Sequence, residues 1–302
     1  MNKELPLYAV LLSELPHVGE RTALEILERC QERGHSLAMF FHLPGPVLRR
    51  EFPLPEPALR CLERHREAHR RRCEWLATKL VAHGGQAWTL LDRHYPERLQ
   101  LYGSPPPPLL FVVGDVTCLQ RPTLAVLHSR APTEEMVAGV RRAVELAARE
   151  GFAVVTSAGK ATYRLVAIAC RALGVPRVVV LDRGLFAALG PELDCDPCTH
   201  AREGNAEALA RGQLVLSPFR LLDHAVGHNG PRRDALVVAL ADVVFALHAR
   251  PGGQIERVCL TALDQGRPVL SWNGENPGLV AAGATPVTDA DLHSFSRFLG
   301  AR

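Results

Sequence analysis

Polar and cationic side chains follow two successive apolar runs of the sequence, at points where parallel strands would end. Ser129 and Arg130 directly follow one run, and Ser157 and Lys160 follow the next one. Because the carboxyl ends of parallel strands meet at one edge of a sheet, we expect these four side chains to share a crevice. Free backbone amides and two cations at that edge favour a negatively charged group. The sequence therefore predicts an anion-binding site there.

Two later stretches have the same character. Arg232 and Arg233 lie in the first turn of a predicted helix, where cations are disfavoured unless an anion is bound nearby. A glycine-containing turn then follows a strand, so its backbone could approach a phosphate closely. This turn and the helix after it supply the further candidates Arg250, Gly252, Gly253 and the carboxylate Glu256.

The elements that must position these residues alternate between strands and helices. Short apolar runs bounded by glycine or proline predict buried parallel strands, and apolar spacings of three and four predict the helices between them. Thr133 is a candidate cap for the helix after Arg130, and Gly151 is its predicted end. In the following helix the predicted buried face consists of Leu165, Ile168, Ala169 and Leu173. This alternation predicts a Rossmann-like α/β fold, with a mostly parallel sheet and helices on both faces.

The N-terminal part of the chain lacks this alternation. We expect residues 1–85 to form a small all-helical domain and residues 86–302 to form the Rossmann-like domain. Two short helices around Gly19 resemble the SAM or helix-hairpin-helix pattern, although a plain helical hairpin fits equally well. Residues 58–83 predict one long arginine-rich helix. Its arginines could contact a nucleic-acid backbone or simply form a solvated face with neighbouring glutamates.

The order of motifs between residues 95 and 130 is distinctive. A Tyr95-Pro96 element is followed by a proline run that leads into a strand ending at Gly114, and then by a strand ending in Ser129-Arg130. This order resembles the DNA-processing protein A (DprA/Smf) family, whose fold is Rossmann-like. The chain is similar to a divergent member, since Leu127-His128 stands where the family usually has Val-Gly, and Asp234 replaces an asparagine.

This resemblance implies a recombination mediator in DNA uptake by natural transformation. Such a protein binds single-stranded DNA through its phosphates and helps to load a RecA-type recombinase. The resemblance assigns the phosphate contacts to the strand-end residues named above, without sequence readout. We also expect a homodimer that carries no cofactor.

Two other functions stay open. The Pro-Gly-Gly turn followed by Glu256 resembles the nucleotide-handling, lysine-decarboxylase-like LOG proteins. On that interpretation the chain is a nucleotide sensor or a phosphoribosyl-cleaving enzyme, with Glu256 as its acid/base or ribose-orienting group. The departures from the family motifs also fit a degenerate homologue that acts through protein partners.

Composition limits the remaining possibilities. The net charge of +3 means that any nucleic-acid surface must be a local patch. Eight cysteines without a framework of spacings, and no long apolar run, favour a reduced protein in the cytoplasm that makes no membrane contact. Cys195, Cys198 and His200 form only half of a zinc site, so we expect no metal.

Overall fold

Short apolar runs form the strands of one nine-stranded sheet. A computed structural model of the chain describes residues 5–102, 105–129, 132–158, 160–198 and 212–299. The strands rich in valine and leucine are almost wholly buried, as expected for a sheet that is covered on both faces. They are β1 (Gln86–Thr89), β2 (Leu109–Gly114), β3 (Thr123–His128), β4 (Ala153–Ser157), β5 (Arg177–Val180), β6 (Gln213–Ser217), β7 (Val243–His248), β8 (Val269–Trp272) and β9 (Thr285–Val287).

The order of the strands across the sheet is β1-β2-β6-β5-β4-β3-β7-β8-β9. Only the pairs β1–β2 and β2–β6 are antiparallel, and the other six pairs are parallel. From β3 the chain runs outward through β4, β5 and β6, and it then returns to β7 on the other side of β3. The predicted Rossmann-like, mostly parallel fold is confirmed.

Thirteen α-helices lie within the described ranges. Six precede the sheet: α1 (Leu5–Ser13), α2 (Glu20–Glu32), α3 (Leu37–His42), α4 (Gly45–Glu51), α5 (Glu56–Arg64) and α6 (Arg66–Ala82). The others are α7 (Glu97–Tyr102), α8 (Glu134–Glu150), α9 (Ala161–Ala172), α10 (Leu185–Leu189), α11 (Asn229–Ala239), α12 (Gln254–Asp264) and α13 (Pro277–Ala281). Short 3-10 turns at Val116–Gln120 and Ser296–Phe298 complete the set. No helix in these parts of the chain is long and apolar enough to cross a membrane.

Helix α8 has the ends that the sequence predicts. The Thr133 hydroxyl accepts a hydrogen bond from the Met136 amide, and Gly151 ends the helix in the left-handed conformation. The arginine-rich segment differs from its prediction, because the expected single helix is broken at His65 into α5 and α6. Its apolar side chains lie on either side of the break, and Arg66 donates to the Leu43 carbonyl at 2.9 Å. The break lets both halves keep their apolar side toward the core.

The helices cover both faces of the sheet. Helices α11 and α12 pack on one face. On the other face, α8 and α9 cover β4, β3, β7 and β8, while the N-terminal helices and α10 cover β5, β6, β2 and β1. The N-terminal helices therefore share one continuous apolar core with the sheet.

Candidate functional site

The carboxyl ends of β3 and β7 form the centre of the candidate site. These strands are neighbours, but the chain leaves them toward opposite sides of the sheet, so a crevice opens where the connections diverge. Ser129 directly follows β3, and Arg250 follows β7 after one intervening residue, Ala249. The crossover pattern of the fold therefore brings together two residues that lie far apart in the sequence.

A serine hydroxyl joins the two strand ends. The Ser129 Oγ accepts a hydrogen bond from the Arg250 amide at 2.8 Å and lies 2.8 Å from Nδ1 of His248. Because the hydroxyl accepts from the amide, its own hydrogen can be donated to the His248 imidazole. The Ser129 amide also donates to the His248 carbonyl at 3.0 Å. These contacts fix the backbone of Arg250 at the rim of the crevice.

The crevice contains a cavity of about 430 Å³ with two cations at its wall, Lys160 and Arg250. Both side chains are exposed. The Lys160 ammonium lies 3.4 Å from the Asp234 carboxylate. Within the described ranges, the Arg250 guanidinium has no acidic partner. The cavity wall therefore offers the Arg250 guanidinium, which no described carboxylate neutralises, together with the Lys160 ammonium and the Ser129 hydroxyl.

The turn after β7 contains Gly252 and Gly253 because its backbone conformation requires glycine at both positions. The Gly253 amide donates to the Arg250 carbonyl at 2.8 Å, and Gly252 has a φ of +70°, which favours glycine. A Cβ on Gly253 would lie 2.8 Å from the Arg250 carbonyl oxygen. The Gly252 amide donates to the Glu256 carboxylate at 2.6 Å. Glu256 therefore satisfies the amide that the sequence interpretation assigns to a phosphate, and it does not line the cavity.

Arg233 is not a surface residue. Its side chain is fully buried, and its guanidinium contacts Asp234 at 2.9 Å and Asp182 at 3.2 Å. The Tyr163 hydroxyl donates to the same Asp234 carboxylate at 2.7 Å, and the Arg233 guanidinium lies 4.9 Å from the Tyr163 ring centre. Burial, reinforced by the Asp234 charge, raises the pKa of Tyr163 well above its usual value. Acidic side chains of the protein itself thus neutralise the arginine for which an anionic ligand was expected.

Arg232 points away from the crevice. Its guanidinium lies 3.1 Å from the Glu20 carboxylate of α2 and donates to the Pro105 carbonyl at 2.8 Å. It lines a second cavity of about 660 Å³ between α2 and the segment after β6. The two adjacent arginines therefore do not act at one place, and neither reaches the crevice.

Ser157 also differs from its expected position. It is fully buried, and its hydroxyl donates to the Val180 carbonyl at 2.6 Å, so it holds β4 to β5 rather than facing the crevice. Arg130 lies outside the described residues. Of the candidates, the structure brings together Ser129, Lys160, Arg250 and Gly253.

Three contributors were missed by the sequence analysis: His248, Asp182 and the buried carboxylate of Asp234. His248 is a polar residue at a strand end, the same pattern that identified Ser129, and could have been found in that way. Asp182 and Asp234 both contact Arg233, and Asp182 reaches it only because the segment after β5 lies against α11. The contact between Asp182 and Arg233 could not be predicted from spacing.

The predicted half-site for a metal lies partly outside the described residues, since His200 is not among them. Cys198 is buried, with its sulfur 3.7 Å from the Ser157 carbonyl, and Cys195 is partly exposed. Within the described ranges, no three His, Cys, Asp or Glu side chains are placed to hold a metal ion.

Comparison with solved structures identifies two proteins of similar fold. DNA processing protein A from Streptococcus pneumoniae has a similar structure, with a TM-score of 0.72 and 19% identity over 100% of this chain and 99% of that one. DNA processing protein A from Helicobacter pylori matches with a TM-score of 0.52 and 22% identity, over 67% of this chain and 90% of that one. That second protein has been described for a unique single-stranded DNA binding mode. At these identities the two structures establish a shared fold.

A family comparison assigns the chain more specifically. A search of curated proteins gives no significant match. The family model for DNA recombination-mediator protein A, in contrast, matches residues 86–291, which is more than half of the chain. The resemblance carried by Tyr95-Pro96, the proline run and Ser129 is thereby confirmed: the chain belongs to the family of DNA recombination-mediator protein A.

Proposed function

We propose that this protein binds single-stranded DNA in the crevice between β3 and β7, through phosphate contacts that do not read sequence. The observation that carries the proposal is the pair of exposed cations, Lys160 and Arg250, beside the Ser129 hydroxyl at the cavity wall. Cations and hydroxyls are the usual donors to phosphate oxygens. Membership of the recombination-mediator family and the single-strand binding described for the Helicobacter pylori protein support the same ligand.

The crevice favours the backbone of DNA over its bases. Tyr163 lines the cavity, but it is buried and its hydroxyl is bonded to Asp234, so its ring is not free to stack on a base. Phosphate binding also places the negative charge beside Arg250, which has no acidic partner in the described parts of the chain. Binding of this kind tolerates any sequence.

The proposed role follows from the family. The protein holds incoming single strands during DNA uptake and helps to load a RecA-type recombinase onto them, and it acts as a homodimer. These two partnerships rest on family membership alone, and the DNA contact rests in addition on the crevice.

The test is the salt dependence of oligonucleotide binding. Lys160→Ala and Arg250→Ala should each weaken binding of a fluorescent single strand by about tenfold, since each removes a charge-assisted contact of roughly 1.5 kcal/mol. Each should also reduce the slope of log affinity against log salt by about 0.7. Arg149→Ala is the matched control, because Arg149 is an exposed arginine in the last turn of α8, at the opposite edge of the sheet. No binding at low salt, or equal behaviour of all three variants, would contradict the proposal.

Glu256→Gln separates DNA from a nucleotide ligand. The amide of glutamine can still accept from Gly252, so the turn is kept while the charge is removed. Oligonucleotide binding should be unchanged or slightly stronger. Loss of binding to a free nucleotide in this variant, with oligonucleotide binding absent in the parent protein, would favour the nucleotide-handling alternative.

A further inference from the structure

The outward side of α6 carries an exposed tryptophan between two cations. Trp75 is 59% exposed, and the Lys79 ammonium lies 5.5 Å from the centre of its ring. Arg71 is exposed one turn earlier, so Arg71, Trp75 and Lys79 recur at intervals of four residues on one face of the helix. We call these three residues the α6 stripe. A large exposed ring flanked by cations along one helix face has the composition of a surface on which a nucleic-acid base can stack.

Helix α6 carries a net positive charge as large as that of the whole chain. The helix carries five lysine and arginine side chains against two glutamates. This excess of three equals the net charge of +3 of the entire protein, so the remainder of the chain is balanced. The patch of local positive charge that nucleic-acid binding requires at such a low net charge is present on this helix.

Partners within the protein account for several of these cations, but not for the stripe. Arg66 donates to the Leu62 and Leu43 carbonyls, and Arg70 pairs with Glu74 at 2.7 Å. Arg71 and Lys79 have no acidic partner in the described residues. The alternative of a solvated face with glutamate pairs therefore fits Arg70, while no described carboxylate neutralises the cations of the α6 stripe.

We propose that the α6 stripe is a second contact surface for single-stranded DNA, separate from the crevice. Trp75 stacks on a base, while Arg71 and Lys79 bind the phosphates on either side. Stacking on an aromatic ring combined with cations along the backbone is the general mode of sequence-tolerant single-strand binding. The crevice supplies phosphate contacts but no accessible ring, and the stripe supplies the ring. This inference rests on the proposed DNA-binding function and extends the DNA contact to the N-terminal helices.

Intrinsic fluorescence tests the stripe directly. The chain has three tryptophans, and the other two, Trp88 and Trp272, are 4% and 3% exposed. A saturating unlabelled oligonucleotide should quench the emission of Trp75, and an abasic oligonucleotide of equal length should not, because it has the phosphates without the bases. Equal quenching by polyglutamate and by the oligonucleotide would overturn the proposal in favour of an acidic protein segment.

Affinity measurements on the full chain provide the second test. Trp75→Ala should raise the dissociation constant for a single strand about fivefold to a hundredfold, and Trp75→Phe should restore most of the loss. Arg71→Ala should lower the salt slope by about 0.7, whereas the control Arg149→Ala should leave it unchanged. Since Trp75 is exposed, its replacement should leave the circular dichroism spectrum and thermal midpoint unchanged. Unaltered affinity in Trp75→Ala would overturn the proposal.

Variants of the crevice and of the α6 stripe test the two proposed sites independently. In the double variant Lys160→Ala/Arg250→Ala, weaker binding with quenching still present at higher concentration supports both sites. If the double variant binds as the parent protein does and only Trp75→Ala is impaired, the crevice is wrong and the stripe stands. If the double variant alone is impaired, the stripe is wrong and the crevice stands.

Discussion

The arginine pair at the start of α11 shows how far residue type alone can mislead. Arg232 and Arg233 are adjacent, so they project about 100° apart around the helix and enter different environments. Arg232 reaches Glu20 of α2. Arg233 is enclosed between Asp182 and Asp234. Arg233 is therefore a structural arginine whose positive charge is matched within the protein.

Replacing Arg233 should affect folding before binding. In Arg233→Ala the Asp234 carboxylate stays buried and keeps only the Tyr163 hydroxyl and the Lys160 ammonium at 3.4 Å. Loss of the buried guanidinium should lower the free energy of unfolding by about 3 kcal/mol. Urea unfolding followed by circular dichroism measures this loss. Arg149→Ala, an exposed arginine, should change the same quantity by less than about 0.5 kcal/mol. An Arg233→Ala protein with the parent's urea midpoint but no oligonucleotide binding would restore Arg233 as a phosphate contact.

The sequence predicted those site residues whose place depends only on the end of a strand. Ser129, Lys160 and Arg250 were found because the carboxyl edge of a parallel sheet collects them whatever else the chain does. It could not predict that Ser157 bonds to Val180 or that Asp182 reaches Arg233, since both contacts join separate strands and helices. Long-range partners decide whether a polar residue is available to a ligand.

At the scale of elements, the sequence predicted where α9 lies in the chain but not which of its faces is buried. The predicted buried face included Ile168 and Leu173, yet these are exposed, and the buried side chains are Tyr163, Val166, Ala167 and Cys170. The helix has apolar residues on most of its circumference, so more than one face fits the spacing of three and four. The hydrogen bond from Tyr163 to Asp234 of α11 selects the observed face, and that partner lies 71 positions later in the chain.

Paired truncations in α9 test this rotation. Val166→Ala should lower the free energy of unfolding by about 1–3 kcal/mol, because it removes methyl groups from a fully buried position. Ile168→Ala deletes more carbon atoms but should change it by no more than about 0.5 kcal/mol, because Ile168 is exposed. The measurement is urea unfolding of both variants under identical conditions. A larger loss in Ile168→Ala than in Val166→Ala would support the sequence-based face and contradict the structure.

At the scale of the whole molecule, the two parts expected from the sequence share their packing. Ala9 and Leu12 of α1 belong to the same apolar core as Phe111 of β2 and Val215 of β6. The separation into a domain of residues 1–85 and one of residues 86–302 stays a prediction. Separating the two parts would expose this common core, because the N-terminal helices supply most of the apolar side chains that pack against β1 and β2 on that face.

Buried cysteines occur in all three apolar clusters of the protein. Six of the eight thiols are buried, and they are distributed over all three apolar clusters: Cys30, Cys73, Cys118, Cys170, Cys198 and Cys259. Burial raises the pKa of Cys30 to about 11 and that of the other five to about 12, from the usual 9.0. The folded state therefore holds these thiols protonated where the unfolded chain would ionise them.

Stability should consequently fall as the pH rises above about 9. Below the thiol pKa of the unfolded chain, the two states bind equal numbers of these protons and the contribution is constant. Above it, the unfolded state releases protons that the folded state keeps, so each buried thiol lowers the free energy of unfolding by up to about 1.4 kcal/mol per pH unit. The raised pKa of Tyr163 acts in the same direction above about pH 10.

Urea midpoints measured under reducing conditions between about pH 7 and pH 10 test this linkage. Cys259→Ala should lower stability at neutral pH by leaving a small cavity, yet its decline above about pH 9 should be shallower than that of the parent protein, since one titrating group is gone. A thiol reagent should label the native protein rapidly only at the partly exposed Cys61 and Cys195, and all eight thiols after unfolding. Rapid labelling of more than two thiols in the native state would mean that at least one of the three clusters opens. A stability that stays level through pH 10 would mean that the buried thiols ionise as easily in the folded chain as in the unfolded one, and it would contradict the raised pKa values.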